Sequence, residues 1–485
     1  MNTRYIYDFL NRYESFLKDH FREESGTNFI LSMLLLRFAS LEFEKEYMTV
    51  KAEEPGCEEW EQTYEERGSL YFPPDLRWQR LGKQEGENLR AGLCSAMQLM
   101  DKPGSKYRDL VYPKSVFGEW DGREIQAVFD MMGECFLEGE GEEDPDLPGI
   151  FEAVFEYIVS RHTKETGGWN TPRQIAALMV DLLDPAGGTV YDPCCGSGGM
   201  LLCAADHMKK ESREFELYGQ EADEDAWKAA RISLLIRGRE AWLGKIPADS
   251  IRQDIHEGLK ADYVLGNPPF HGYGWSEPEW RSDRRWRYGV PAAKRGDFAW
   301  MQHMLYHLDE NGRMGAIFSN GILDSRRNED RRIRAALLQD DVLETVITLP
   351  SGMFYGAKVS VSLWIFSKNK KEICRNQLLL VDARKLGETQ RGITALSASG
   401  QERILQAYRN YQNGTREDQP EFCRQVSARD IEEEEYSLAP ERYIRLQPRN
   451  LPGWEELEAK ERQLRTRLNE LLNKNKITVK HIIND

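Results

Sequence analysis

Apolar positions in the first third of the chain recur at helical spacing. Tyr5, Phe9, Leu10, Tyr13, Phe16 and Leu17 fall on one face of an amphipathic helix, and Ile30, Met33, Leu34 and Phe38 predict a second, buried one. Gly, Pro and aromatic residues interrupt the pattern at 65–80 and 101–120. From about residue 150 the rhythm changes to short apolar runs alternating with helical stretches, the pattern of βαβ units around a parallel sheet. Strands are predicted at Thr189–Asp192, Glu216–Gln220, Tyr263–Gly266, Arg313–Ser319, Val342–Leu349 and Ser360–Ser367. Helices are predicted at 173–183, 199–209, 223–237, 297–309 and 329–338. The fold class is α/β, doubly wound, in which ligands sit at the carboxyl ends of the strands.

Length and charge add boundaries to this picture. A chain of 485 residues exceeds one ordinary core, so two or three domains are expected. The acidic run Glu138–Asp146 (EGEGEEDPD) reads as a linker or as a solvated loop inside one domain. The division is then a helical domain at 1–137, a linker at 138–149, a catalytic domain at 150–385 and a C-terminal region at 386–485. In that last region Leu457, Leu464 and Leu471 lie seven apart, which fits a partner-binding helix or one packed on its own domain. The longest apolar stretch, FILSMLLLRF, is broken by Ser32 and Arg37 and is too short to span a bilayer. The start of the chain lacks a basic segment leading into an apolar one, so a cytoplasmic location is expected, and eight cysteines without a CxxC pair read as reduced thiols. A net charge of −16 opposes unaided binding to a polyanion. Any nucleic-acid substrate must be met by a local basic patch or brought by a partner.

Candidate chemistry begins at Asp192–Met200, DPCCGSGGM, which follows a strand and opens a helix. Gly196, Gly198 and Gly199 let a ligand approach the backbone and the amino end of that helix. The nicotinamide fingerprint needs glycine or alanine at 201, where Leu201 stands, so a dinucleotide site is disfavoured. Glu221 closes the next strand 22 residues past Gly199, where a carboxylate can accept from both ribose hydroxyls. Upstream, Thr171 reads as a helix cap with Pro172 in the first turn. The stretch Ala261–Phe270, ADYVLGNPPF, carries a buried strand into Asn267-Pro268-Pro269-Phe270. Two prolines cannot continue a central strand, so the chain leaves the sheet and exposes its carbonyls. The Asn267 side-chain oxygen and the Pro268 carbonyl can accept both hydrogens of a planar amine, freeing its lone pair to attack a methyl group, and Phe270 offers a face for an extruded base.

Together these stretches resemble the S-adenosylmethionine-dependent amino-methyltransferases of DNA, and more narrowly the modification subunit of Type I restriction-modification enzymes. The likeness covers nearly the whole chain, through NFILSMLLLRFAS, NTPRQIAALMVDLL, DPCCGSGGMLLCA, GNPPF, GDFAWMQHMLYHL, GRMGAIFSNGIL, LPSGMFYG and SLAPERYI. The resemblance implies a Rossmann-like methyltransferase sheet and transfer of the sulfonium methyl of S-adenosylmethionine to adenine N6. It places Thr171, Asp192, Gly196, Ser197, Gly198 and Gly199 around the methionine end of the cofactor, Glu221 at the ribose and Asp254 at the adenine amine. Asn267, Pro268, Pro269 and Phe270 would bind the target amine, with Phe354, beside Tyr355, stacking on the flipped base. Cys194 and Cys195 read as small apolar fillers, and no metal is expected.

Residues 281–295 hold Arg281, Arg284, Arg285, Arg287, Lys294 and Arg295 against Asp283 alone, directly after the catalytic loop. They read as a phosphate-contacting loop or as a solvated surface. No region after the catalytic motifs has the size of a base-reading domain, so sequence choice on double-stranded DNA is assigned to a specificity subunit, with a motor-nuclease restriction subunit for cleavage, as the resemblance also implies. Three other readings compete: the same chemistry on RNA or a protein glutamine, a non-catalytic assembly subunit, and a nucleotide-dependent oxidoreductase.

Overall fold

The computed structural model describes residues 23–111, 120–135, 171–210, 213–269, 281–292, 295–354, 359–390, 393–444 and 458–471, with residue 12 and a few positions between 151 and 158. The predicted helix over Tyr5–Leu17, apart from residue 12, the acidic run at 138–149, Phe270, Lys294 and Tyr355 lie outside the described residues.

The helix predicted around Ile30 runs from Glu23 to Glu53. Its buried stretch, Phe29 to Ala39, includes both polar interruptions: Arg37 is 4% exposed, pairs with Glu44 at 3.4 Å and lies over the Trp78 ring. Helices Gly86–Met100 and Gly122–Cys135 close this N-terminal core, where Trp78 stacks on Phe129. Ala229, Ile232 and Ile236 belong to the same apolar cluster. They lie on the helix Glu224–Ile236, which follows Glu221, so the helical region rests directly on the α/β part of the chain.

The strands are β1 (Gly188–Asp192), β2 (Phe215–Gly219), β3 (Ala261–Gly266), β4 (Leu308–Ser319), β5 (Leu343–Thr348), β6 (Val361–Ser367), β7 (Gln377–Asp382), β8 (Gly387–Gln390), β9 (Ile393–Leu396) and β10 (Cys423–Ser427). Eight of them form one sheet in the order β2-β1-β3-β4-β6-β5-β7-β10, and β8 and β9 form a hairpin. Helices Arg173–Leu183, Gly199–Lys210 and Ala398–Gln412 cover one face, and Asp297–His307 and Asn328–Gln339 cover the other. Every residue of β5 and β6 is consequently buried.

Two features depart from the predicted parallel sheet. β6 runs antiparallel between β4 and β5, because the segment joining it to β5 carries no helix among its described residues, and a parallel return needs a crossover. The sheet also continues past residue 385: β10 pairs antiparallel with β7, and Ala398–Gln412 packs on the same core. The predicted helix at 297–309 ends at His307, since Leu308 and Asp309 already belong to β4. Among the described residues no helix is long and apolar enough to cross a membrane, and seven cysteines are free thiols.

Candidate active site

β1 lies between β2 and β3, and its parallel neighbours bring three carboxyl-terminal strand ends to one crevice. The β1–β2 ladder continues beyond the strands, with Gln220 N donating to Asp192 O and Cys195 N to Gln220 O, both at 3.0 Å. The chain then turns through Gly196 (φ +53°) and Gly198 (φ +82°), a conformation glycine adopts without a Cβ penalty. A Cβ on Gly198 would lie 3.5 Å from Ala230, whereas one on Gly196 or Gly199 would meet nothing within 4 Å. The turn therefore presses its second glycine against the Glu224–Ile236 helix and leaves open space beside the other two. Leu201 is fully buried, an anchor of the helix under the sheet rather than part of a dinucleotide fingerprint.

Two carboxylates hold this turn. Asp192 Oδ1 accepts from Cys194 N at 3.0 Å, and Glu221 Oε2 accepts from Gly196 N at 2.9 Å while Oε1 accepts from Ala222 N and Asp223 N. Burial pushes Asp192 up to about 7, with the Glu221 charge adding to the effect. Glu221 is raised by burial against the opposing pull of three backbone N–H donors. Cys194 and Cys195 are pushed well above the ordinary thiol range, first by burial and then by these carboxylates, so both stay protonated. Cys195 Sγ lies 3.2 Å from where a Gly219 Cβ would stand, as a small filler between β1 and β2 should.

Across the crevice, β3 ends at Gly266, where a Cβ would lie 3.2 Å from Cys194 Sγ and 3.5 Å from Asp192 Oδ1. The next residue, Asn267, is thus set beside the glycine turn. Its Nδ2 donates to Thr171 Oγ1 at 3.0 Å, and its Oδ1 is buried with no hydrogen-bond partner among the described residues. That bond explains a shift at the Arg173–Leu183 helix. Pro172, not Thr171, occupies the cap position, because the Thr171 hydroxyl is engaged with Asn267. Pro268 is buried and Pro269 half-buried behind it.

Asp254 lies in a loop tied to Gln220 at the end of β2, whose side chain donates to Gln253 O at 2.7 Å and accepts from Ile255 N at 3.3 Å. Asp254 Oδ1 accepts from His256 N at 3.0 Å and its Oδ2 is 2.9 Å from His307 Nε2. Burial raises this carboxyl, but the His307 contact outweighs it and leaves Asp254 below the usual carboxylate range. His303 completes a group whose ligand-type atoms lie within 4.8 Å of one another. Sequence reading missed this trio; the spacing of His303 and His307, four apart on one helix, was the available signal.

Two expected site regions are engaged within the fold. Arg285 binds Asp283, the carbonyls of Ser250 and Ile251, and His303, with 11% of its side chain exposed. Arg284 pairs with Glu257, Arg287 with Asp340 at 2.9 Å, and Arg295 donates to Gly321 O, so acidic neighbours distant in sequence offset much of the local positive charge. Arg281 is exposed. Phe354 is 3% exposed and belongs to the same apolar cluster as Leu349 and Met353.

Residues 143–450 match the N-6 DNA Methylase family and residues 9–129 the HsdM N-terminal domain. The chain is 33% identical over 304 residues to the Type I restriction enzyme HindI methylase subunit of Haemophilus influenzae, covering 61% of this chain and 68% of that one. It is 28% identical over 404 residues to the MjaIX methylase subunit of Methanocaldococcus jannaschii, covering 79% and 71%. Its fold matches the type I restriction-modification methyltransferase subunit of Streptococcus thermophilus with a TM-score of 0.75, at 22% identity over 91% of this chain and 99% of that one. With a crevice built from a glycine turn and an Asn-Pro-Pro strand end, the chain belongs to the N-6 DNA methylase family, as a modification subunit of the Type I restriction-modification class and thus a DNA adenine methyltransferase.

Proposed function

We propose that this crevice transfers a methyl group from S-adenosylmethionine to N6 of an adenine flipped out of double-stranded DNA. The observation that carries the reading is the Asn267 carboxamide: one end fixed by Thr171, the other an unpaired buried acceptor beside the glycine turn. A buried acceptor without a donor costs about 1–3 kcal/mol, a cost that a substrate amine would remove.

The residues fit the cofactor. Gly196 and Gly199, with open space where side chains would project, and Ser197 between them would cradle its methionine end, together with Gly198, Asp192 and Thr171. Glu221, with lone pairs beyond the three backbone donors, would take the ribose hydroxyls, and Asp254 the adenine amine. When bound, S-adenosylmethionine would supply an electrophilic methyl carbon, the S–C bonding pair remaining on sulfur. Asn267 Oδ1 and the Pro268 carbonyl accept the two amine hydrogens and turn the nitrogen lone pair out of the ring, while Pro269 holds the backbone off the sheet and Phe270 stacks on the base. As the N–C bond forms the amine sheds one proton to water. No covalent enzyme intermediate is needed.

We assign the reading of sequence to a specificity subunit and cleavage to a restriction subunit. Supporting this, the helix at 458–471 is exposed along its length, with Leu464, Leu468 and Leu471 in solvent, a surface suited to a partner. DNA contact falls to the exposed Arg281 and to Lys294, with Arg284, Arg287 and Arg295 available only by exchanging their present partners. We place the protein in the cytoplasm. Mass spectrometry of plasmid DNA from cells expressing the chain with its neighbouring specificity gene tests the function: 6-methyladenine at a defined sequence is expected, and its absence with both subunits folded refutes it.

A further inference from the structure

Behind the crevice lies a histidine cluster that the reaction above does not use. His307 is fully buried on the Asp297–His307 helix, with Nδ1 3.1 Å from Leu259 O and Nε2 2.9 Å from Asp254 Oδ2. A carbonyl only accepts, so Nδ1 carries a hydrogen. A further hydrogen lies between Nε2 and the carboxylate, since two bare lone pairs would repel at that distance. The second oxygen of Asp254 takes the His256 N–H, so the carboxylate is fixed at both ends, with lone pairs left over and 13% of the side chain exposed. The loop leading to it is fixed as well: Arg285 donates to Ser250 O at 3.2 Å and to Ile251 O at 2.6 Å.

Arg285 also decides between two uses of the cluster. Its Nη1 lies 3.0 Å from His303 Nδ1. A guanidinium only donates, so Nδ1 is the acceptor and Nε2 carries the hydrogen; burial, by holding His303 well below its usual range, keeps the ring neutral. A ring in that state has no lone pair left for a cation. The arrangement is therefore a scaffold for a carboxylate rather than a metal centre.

We propose that His307 is a positioning residue, orienting Asp254 so that its carboxylate accepts a hydrogen bond from the 6-amino group of the cofactor's adenine. This rests on the assignment of Asp254 made under the proposed function. The test is calorimetric binding of S-adenosylhomocysteine and its 6-oxo counterpart, S-inosylhomocysteine, to the full-length chain. Replacing the amine by an oxygen puts two acceptors face to face, and the wild type should prefer the amine by roughly tenfold or more. His307→Gln keeps a donor near the Nε2 position and loses the bond to Leu259, whereas His307→Asn does the reverse. The preference should survive in His307→Gln and fall to about threefold or less in His307→Asn, a split that a merely structural histidine would not give. Equal behaviour of the two variants overturns the proposal. Where His307→Asn does not fold, His307→Ala with added imidazole replaces it: restored preference supports the proposal, and none contradicts it. An Asp254→Ala chain that keeps the wild-type preference removes the Asp254 assignment itself, an outcome distinct from failure of His307 alone.

Discussion

The glycine turn after β1 and the basic loop after β3 stand close together, yet their sequences speak with different reliability. The turn owes its shape to local rules. Glycines take the positive φ angles, Asp192 accepts from Cys194 two residues on, and Glu221 staples Gly196 from the adjacent strand. The loop owes its character to distant partners: Glu257, Asp340, and the carbonyls of Ser250, Ile251 and Gly321. Backbone geometry is written beside the residue that needs it. The availability of a charge depends on what the fold brings opposite.

Five perturbations sharpen this contrast. The largest effect should come from Gly198→Val, which forces a branched side chain into a positive φ against Ala230; denaturant unfolding should show a loss of about 2–4 kcal/mol. Next, Glu221→Gln keeps the shape but removes the charge that binds Gly196, Ala222 and Asp223, and calorimetry should show S-adenosylmethionine affinity falling roughly tenfold, about 1.4 kcal/mol. Arg285→Ala should weaken cofactor binding by about fivefold through the 250–254 loop while leaving the slope of DNA affinity against salt unchanged. Arg281→Ala should do the opposite, reducing that slope by about one without touching the cofactor. The smallest effect is a pH response. Asp192, lifted to about 7 by burial, is neutral below that value and charged above it. Affinity for the cationic cofactor should therefore strengthen by about two- to threefold as pH rises from about 6 to about 8, read by calorimetry at each pH.

Legibility follows the same division elsewhere. β1, β3 and β5 were visible because buried parallel strands write themselves as apolar runs. β10 was not: Cys423-Arg424-Gln425-Val426-Ser427 is a half-buried edge strand whose polar residues mask its pairing with β7. Asn267 stood out because two prolines after a strand have few explanations. Its hydrogen bond to Thr171 could not be read, since only the fold brings positions 96 residues apart into contact. Likewise Asp254, His303 and His307 come from a loop and a helix on opposite sides of β3 in the sequence.

The central claim is that an unpaired carboxamide oxygen at the end of β3 activates the amine beside a cofactor held by the glycine turn. Single-turnover methyl transfer from labelled S-adenosylmethionine to DNA, with the specificity subunit present, measures it directly. Asn267→Ala should slow transfer by roughly two to three orders of magnitude, with the Kd for the cofactor changed less than about threefold. Transfer at the wild-type rate by Asn267→Ala would contradict the account.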